Sequence, residues 1–110
     1  MPELLAEGPD PRFHWKYPLT AQPIKLGRKS PESDWACPWD AKISRFHATL
    51  TWQGGRLRVQ RKEGSLNPIY CRGQVADDFE IAVGEQFVIG GTTFTLQETE
   101  IFPEIGRAHV

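Results

Sequence analysis

Apolar and polar residues alternate one by one over residues 48–53 and again over residues 57–60, with Gly54 and Gly55 between the two segments. A period of two places successive side chains on opposite faces of a strand. Two glycines supply the backbone freedom that a tight turn between antiparallel strands requires. This part of the chain therefore predicts a β-hairpin with one apolar face and one polar face.

Shorter strand-like segments lie on both sides of this hairpin. Residues 12–19 are rich in aromatic side chains, and Pro18 favours the edge of a sheet because proline donates no ladder hydrogen bond. The remaining strand-like segments are bounded by turn residues, and they cover residues 24–26, 69–71, 79–83, 87–89 and 92–97. The last two of these segments, which a Gly-Gly pair separates, predict a second hairpin.

No stretch of ten residues shows the 3.6-residue period of an amphipathic helix, while strand-like segments recur about every ten residues with turn residues between them. This spacing is typical of an all-β sandwich or barrel. We predict one all-β domain over residues 12–98. Residues 1–11, which hold Gly8 and three prolines, are predicted to be a flexible lead-in, and residues 99–110 a C-terminal tail.

The composition narrows the classes of function. The 110 residues carry a net charge of −1, which argues against a general nucleic-acid binder, a class that is usually strongly basic. No apolar run reaches the roughly 18 residues of a membrane helix, and the acidic N-terminus lacks the apolar core of a secretory signal. Cys37 and Cys71 are too few for a disulfide framework or a four-ligand zinc site. These features predict a cytoplasmic protein with no metal, cofactor, nucleic-acid or membrane partner.

Cationic and hydroxyl side chains follow or precede several of the predicted strands. Gly27-Arg28 ends one strand, Ser44–His47 precedes the next, and Gly64–Asn67 occupies a third junction. Loops of a β-sandwich cluster at its two ends, where a rigid scaffold can present a site. Arginine offers a planar fork of donors that suits phosphate, and serine and asparagine add neutral hydrogen bonds. The sequence therefore predicts an anion-binding site at one end of the sandwich.

The order and spacing of these motifs resemble the forkhead-associated (FHA) domain. That family carries a Gly-Arg pair, then a Ser-Arg-x-His segment, then a Ser-x-Asn motif after the next hairpin. The three motifs stand here at Gly27-Arg28, Ser44–His47 and Ser65–Asn67, and residues 84–96 resemble the closing pair of strands. The resemblance covers residues 12–97, and it implies an eleven-strand β-sandwich of two antiparallel sheets that binds phosphothreonine peptides through loops at one end.

The resemblance also implies a role for each matching residue. Arg28 would grip the phosphate, Ser44 would donate to a phosphate oxygen, and Arg45 would assist. Asn67 would hold the peptide backbone beside the phosphothreonine. Lys42 aligns with a position that in some relatives reads the third residue after the phosphothreonine. The expected partner is a phosphothreonine-containing protein in intracellular signalling.

Two further residues are expected to support the site, and three depart from the family pattern. Gly27 and His47 would shape the loops, with His47 as an internal strut and no residue acting as a catalyst. Pro68 follows Asn67 where the family has a Gly-Thr pair, and Arg72 replaces a second asparagine. Leu66 stands where many relatives place a hydroxyl or basic side chain that faces the phosphate.

Two other interpretations stay open at the level of sequence. The lost Asn-Gly-Thr run is compatible with an FHA-like domain that binds its partner without phosphate. Ser44 and His47 also suggest a nucleophile and its base, although no G-x-S-x-G elbow, P-loop or metal-ligand cluster accompanies them. We therefore expect a binding module and not an enzyme.

The C-terminal residues lie beyond the predicted sandwich. The hexapeptide Ile105–Val110 equals a translation of a common sequencing adapter, so we predict an assembly artefact and a natural gene that continues. FHA-like modules often form the N-terminal part of longer regulatory proteins, and the same expectation applies to this chain.

Overall fold

Two β-sheets pack face to face in the computed structural model, which describes residues 2–98. The described part of the chain contains eleven strands, which are β1 (Pro2–Glu7), β2 (His14–Pro18), β3 (Ile24–Gly27), β4 (Trp35–Ala36), β5 (Ala48–Gln53), β6 (Arg56–Arg61), β7 (Ile69–Cys71), β8 (Gln74–Val75), β9 (Asp78–Ile81), β10 (Gln86–Ile89) and β11 (Thr92–Glu98). The predicted all-β sandwich is confirmed. Within residues 2–98, no helix is long and apolar enough to cross a membrane.

One sheet has six strands in the order β2-β1-β11-β10-β7-β8, and the other has five in the order β4-β3-β5-β6-β9. Both predicted hairpins are present, as β5 with β6 and β10 with β11. The described strands pair in antiparallel fashion except β3 with β4, which run parallel and place Leu26 opposite Trp35. This is an exception to the expected antiparallel sheets. After β3 the chain loops back along the edge of the sheet, and the two residues of β4 then run in the same direction as β3.

The prediction of a flexible lead-in over residues 1–11 was wrong for the residues that the structure describes. Strand β1 lies inside the six-stranded sheet, between β2 and β11, and Leu4 and Ala6 are fully buried. The glycine and prolines that suggested a linker instead form the β1–β2 connection, where the Gly8 amide donates to the Phe13 carbonyl at 2.7 Å. Strand β1 is therefore part of the folded sandwich, which the sequence had predicted only from residue 12 onward.

The core lies between the two sheets and consists of inward-facing side chains from both. Its aromatic centre is Phe87 on β10, which stacks on Phe94 of β11 with ring centroids 4.8 Å apart. Other side chains that solvent does not reach are Leu4, Leu26, Leu57, Val59, Ile69, Ile81, Ile89 and Leu96. Their burial fixes the register of each strand, since a slip of one residue would turn the apolar set outward.

Aromatic side chains close the sandwich where β2 faces β4. Trp15 lies 4.8 Å from Tyr17 and 5.6 Å from Trp35 between ring centroids. The Trp15 indole N–H also donates to the Ala36 carbonyl at 2.9 Å. Strand β2 is thus an edge strand, as Pro18 predicted, and its aromatic face joins the two sheets.

The buried N-terminal strand leads to a stability prediction. Leu4→Ala removes a fully buried side chain and leaves a cavity, so we expect the unfolding free energy to fall by about 2–5 kcal/mol. Glu7→Ala, at the exposed end of the same strand, should change it by less than about 0.5 kcal/mol. Urea unfolding of both variants checks this expectation. Equal stability of Leu4→Ala and the wild type would indicate that β1 is not part of the folded core.

Candidate functional site

Three loops meet at one end of the sandwich because of the strand register. Leu26, Ala48 and Arg61 form a row across β3, β5 and β6. The loops after β3, before β5 and after β6 therefore leave the sheet at the same end. They enclose an open cavity of about 300 Å³, which is lined by Arg28, Ala41, Lys42, Ile43, Ser44, Arg45, Leu66 and Asn67.

Gly27 lets the first two loops approach closely. A Cβ atom at this position would overlap the carbonyl oxygen of Arg45 and the hydroxyl of Ser33, which itself donates to that carbonyl. The Gly27 carbonyl accepts the Cys37 amide at 2.8 Å. Glycine is therefore required here by space, since a side chain would push the two loops apart.

Arg28 is half-buried at the start of the loop that follows β3. Its backbone amide donates to the Ser44 carbonyl at 2.9 Å. Its guanidinium donates through Nη1 to the Ala41 carbonyl at 3.3 Å. A guanidinium carries five N–H donors, so this single contact orients the group and leaves most of its donors for a ligand.

Ser44 contacts both neighbouring loops. Its backbone amide donates to His47 Nδ1 at 2.9 Å, and its Oγ accepts the Leu66 amide at 3.1 Å. A serine hydroxyl has one donor and two acceptor sites, so accepting this bond leaves its O–H able to donate. The hydroxyl therefore lies at the cavity as a neutral donor.

His47 connects the loops from beneath the cavity and is fully buried. Because Nδ1 accepts the Ser44 amide, the ring proton is assigned to Nε2, which donates to the Asn67 carbonyl at 2.8 Å. The backbone of His47 pairs at 2.8 Å with Leu26 and with Lys62. Burial lowers the pKa of the imidazole below its ordinary value, since a charged ring would lose solvation.

Asn67 and Lys42 both line the cavity and are joined directly. The Asn67 side-chain amide donates through Nδ2 to the Lys42 carbonyl at 2.9 Å. This bond ties the β6–β7 loop to the β4–β5 loop. Asn67 therefore uses one side-chain N–H within the protein, and its Oδ1 acceptor and second N–H can contact a ligand. The Lys42 and Arg45 side chains are exposed at the rim.

Asp40 is a residue that sequence reasoning did not single out. Its buried carboxylate accepts from the Lys42 amide at 3.0 Å, the Gly91 amide at 2.9 Å and the Thr92 hydroxyl at 2.7 Å. These bonds fix the β4–β5 loop on the turn between β10 and β11. The bond from the Lys42 amide is an Asx turn, a conformation that Asp favours in loops. The bonds from Gly91 and Thr92 cross about fifty residues of sequence, so no local pattern predicts them.

Arg61 is a second residue whose role the sequence did not reveal, because it follows an alternating strand with arginines on its polar face. Its Nη1 donates to the Ser65 carbonyl at 2.8 Å and to the Ser65 hydroxyl at 2.9 Å. Its Nε pairs with Asp77 at 2.8 Å. Arg61 therefore holds the β6–β7 loop in shape, while Arg58, three positions earlier on the opposite face of β6, pairs with Asp78 at the surface.

The electrostatics of the cavity favour an anion. Arg28, Lys42 and Arg45 line it, and none of its eight lining residues is acidic. Two further cations lie near the loop, since the ammonium groups of Lys25 and Lys62 are 5.6 and 5.4 Å from the ring centroid of Phe46. Such a concentration of positive charge raises the local concentration of anionic ligands.

A second cavity of about 450 Å³ lies on the outer face of the six-stranded sheet, lined by Tyr70, Arg72, Gly73, Glu85, Gln86 and Val88. Its one arginine is already paired with Glu85 at 2.9 Å. The two charges neutralise each other, so this larger cavity offers an anion no unpaired cation. The loop cavity is the better candidate for a binding site.

The geometry does not arrange Ser44 and His47 as a nucleophile and its base. His47 Nδ1 accepts the backbone amide of Ser44 and not its hydroxyl, and Nε2 is used by a carbonyl. The two cysteines are buried and unbonded to each other, and burial raises the pKa of Cys37 to about 12. Within residues 2–98, no group of three or more acidic, histidine or cysteine side chains could hold a metal ion.

Comparison with known proteins gives a family and several similar folds. The FHA domain model matches residues 24–90. The Slr1951 protein from Synechocystis sp. superposes with a TM-score of 0.77 at 19% identity, over 91% of this chain and all of that one. No curated protein matches this sequence at a significant level.

Two further similar structures come from work on phosphorylation-dependent binding. One comes from work on phosphothreonine-dependent FHA domain interactions, with a TM-score of 0.74, 17% identity, and coverage of 91% of this chain and 98% of that one. The other is Mycobacterium tuberculosis EmbR in complex with a low-affinity phosphopeptide, with a TM-score of 0.68, 21% identity, and coverage of 86% and 24%. At these identities the likeness shows the fold.

The buried imidazole leads to a pH prediction. The folded chain keeps His47 neutral, whereas the unfolded chain takes up a proton as the pH falls below about 6.5. The unfolded state then binds more protons than the folded state, so the unfolding free energy decreases with falling pH. Urea unfolding between about pH 8 and pH 5 measures this slope, and the NMR resonances of the His47 ring show directly whether it stays neutral below pH 6.5.

Exposed His14 provides the matched control for this slope. His14→Gln should keep the wild-type dependence on pH, whereas His47→Gln should flatten it. A His47 ring that titrates at or above the ordinary value would contradict the assignment of a neutral strut.

Proposed function

The chain belongs to the FHA domain family, and we propose that it is a module that binds phosphothreonine-containing peptides at the loop cavity. The observation that carries the proposal is the convergence of Arg28, Ser44 and Asn67 on one open cavity that no acidic side chain lines. Similar folds have been studied with phosphothreonine-dependent partners and with a phosphopeptide.

The chemistry of a phosphorylated side chain fits these donors. A phosphoryl group carries about −1.5 to −2 charges and three strong acceptor oxygens. The Arg28 guanidinium can donate two parallel hydrogen bonds to it, and the Ser44 hydroxyl can donate a third. Lys42 and Arg45 at the rim add long-range attraction. An unmodified threonine would leave these charged donors without an acceptor, and this difference makes binding depend on phosphorylation.

The remaining residues of the proposed site act on shape and on the peptide backbone. Asn67 already donates to the Lys42 carbonyl, and its Oδ1 and second N–H remain for the main chain of a bound peptide. Gly27 leaves space for the close approach of the Arg45 carbonyl, and the His47 ring joins the loops that carry Ser44 and Asn67. Loops that are arranged before binding lose less conformational entropy when a ligand arrives.

The proposal describes binding and no chemical step. Ser44 has a role as a hydrogen-bond donor, and His47 has a role within the protein, so neither is assigned to catalysis. A partner that carries phosphothreonine would be retained, and would be released once a phosphatase removed the charge. The module would therefore read the phosphorylation state of its partner.

The test is a titration of labelled peptides by fluorescence anisotropy, with phosphothreonine, phosphoserine and threonine versions of one degenerate library. We expect binding to the phosphothreonine library, weaker binding to the phosphoserine library and none to the unmodified one. Arg28→Ala should weaken phosphopeptide binding by about tenfold or more, because a hydrogen bond to a charged group contributes about 1.5–3 kcal/mol. The affinity of Arg28→Lys for the phosphopeptide should fall between those of the wild type and Arg28→Ala, since lysine keeps the charge but loses the planar fork of N–H donors.

The matched control is Arg56→Ala, which removes the same charge from the exposed end of β6, outside the cavity. This variant should bind as the wild type does. Equal binding of the phosphorylated and unmodified libraries would instead support the alternative, an FHA-like domain that binds its partner without phosphate. Unchanged affinity in Arg28→Ala would remove Arg28 from the site.

A further inference from the structure

Leu66 presents an apolar side chain to solvent at the edge of the proposed phosphopeptide site. It is 87% exposed, compared with 58% for Val75 and 47% for Val83, the next two most exposed large hydrophobic residues within the described range. Leu66 also lines the loop cavity, whereas neither valine does. An isolated exposed leucine is ordinary on a protein surface, but this one lines a candidate binding site and its backbone amide is hydrogen-bonded.

The backbone around Leu66 is held firmly although its side chain is free of contacts with the core. Its own amide donates to Ser44 Oγ at 3.1 Å. The preceding carbonyl, of Ser65, accepts from Arg61 at 2.8 Å. The following carbonyl, of Asn67, accepts from His47 at 2.8 Å. A side chain on such a fixed base can bury apolar area in a complex without the entropic cost of ordering its loop.

The position of Leu66 limits which part of a bound peptide can reach it. Its amide nitrogen lies 3.1 Å from Ser44 Oγ, and Leu66, Ser44 and Arg28 line the same cavity. An extended peptide advances about 3.3 Å per residue. A phosphoryl group held by Arg28 and Ser44 therefore places a neighbouring peptide side chain, one or two residues away, over Leu66.

We propose that Leu66 is a specificity residue that selects peptides with an aliphatic or aromatic side chain within two residues of the phosphothreonine. This inference rests on the proposed function and adds a second requirement to it. The cations select for the phosphoryl group, and Leu66 selects against peptides whose neighbouring side chains are polar. A polar peptide side chain placed over Leu66 would bury less apolar surface, so the complex would gain less binding free energy.

The experiment compares phosphothreonine peptides that carry either Leu or Asn at one position, scanned over the two residues before and the two after the phosphothreonine. Leu and Asn are similar in size, so the comparison isolates polarity. For the wild type we expect at least one position at which Leu binds about five- to tenfold more tightly than Asn. Leu66→Ala should reduce that ratio towards one, and Leu66→Met should keep most of it.

Two controls separate this role from a general effect on the fold. Val83→Ala truncates another exposed apolar side chain, outside the cavity, and should keep the wild-type preference. Leu66→Ala should also unfold at the wild-type urea concentration, because its side chain contributes little to the core.

The outcomes distinguish the two proposals. Phosphate-dependent binding without any preference for Leu, or a preference that persists in Leu66→Ala, would overturn the role of Leu66 and leave the phosphothreonine site standing. Absence of binding to every phosphothreonine peptide, or equal binding of unphosphorylated peptides, would overturn the proposed function and this inference with it.

Discussion

The two hydrogen bonds of the His47 ring are the interaction on which the end of this sandwich depends. One ring nitrogen accepts from Ser44 and the other donates to Asn67, so a single side chain joins the β4–β5 loop to the β6–β7 loop. The bond from Ser44 requires a neutral ring, since a protonated imidazole has no acceptor, so the two bonds exist together only while His47 is neutral. Burial supplies that condition by disfavouring the charged form, and the fold thereby fixes the protonation state that its loops need.

The other loop contacts depend on close approach and on one buried carboxylate. Gly27 allows the Arg45 carbonyl to lie where a side chain would otherwise stand. Asp40 then attaches the same loop to the turn after β10, through Gly91 and Thr92. The unfavourable burial of a carboxylate is offset here because its oxygens accept three hydrogen bonds. The cavity is thus bounded by loops that are each tied to a strand of the core.

The sequence predicted the fold where the period-two pattern was long and its turns were rich in glycine. The β5–β6 hairpin is the clearest case, because Gly54 and Gly55 both adopt the positive φ that a tight turn uses. Strand β1 was not predicted, because its only two fully buried side chains, Leu4 and Ala6, make a short apolar pattern. The glycine and prolines that follow this pattern favoured a flexible segment instead. The motif residues were named from a family resemblance, and the structure brings them around one cavity. Asp40 could not be named, because its partners Gly91 and Thr92 lie far away in the sequence. Arg61 could not be named, because nothing in the sequence distinguishes it from the exposed arginines of the same segment.

Pro68 is the departure from the family pattern that bears most directly on the loop. A proline in place of glycine removes a backbone donor and restricts φ. The bonds that hold the loop do not use that donor, since Asn67 is held through its carbonyl and its side-chain amide, and Leu66 through its own N–H. Pro68 restricts the conformations of the unfolded chain at this position, and this favours the folded loop. The chain can therefore carry Pro68 where the FHA resemblance predicts a glycine, and still present Leu66 and Asn67 on a fixed backbone.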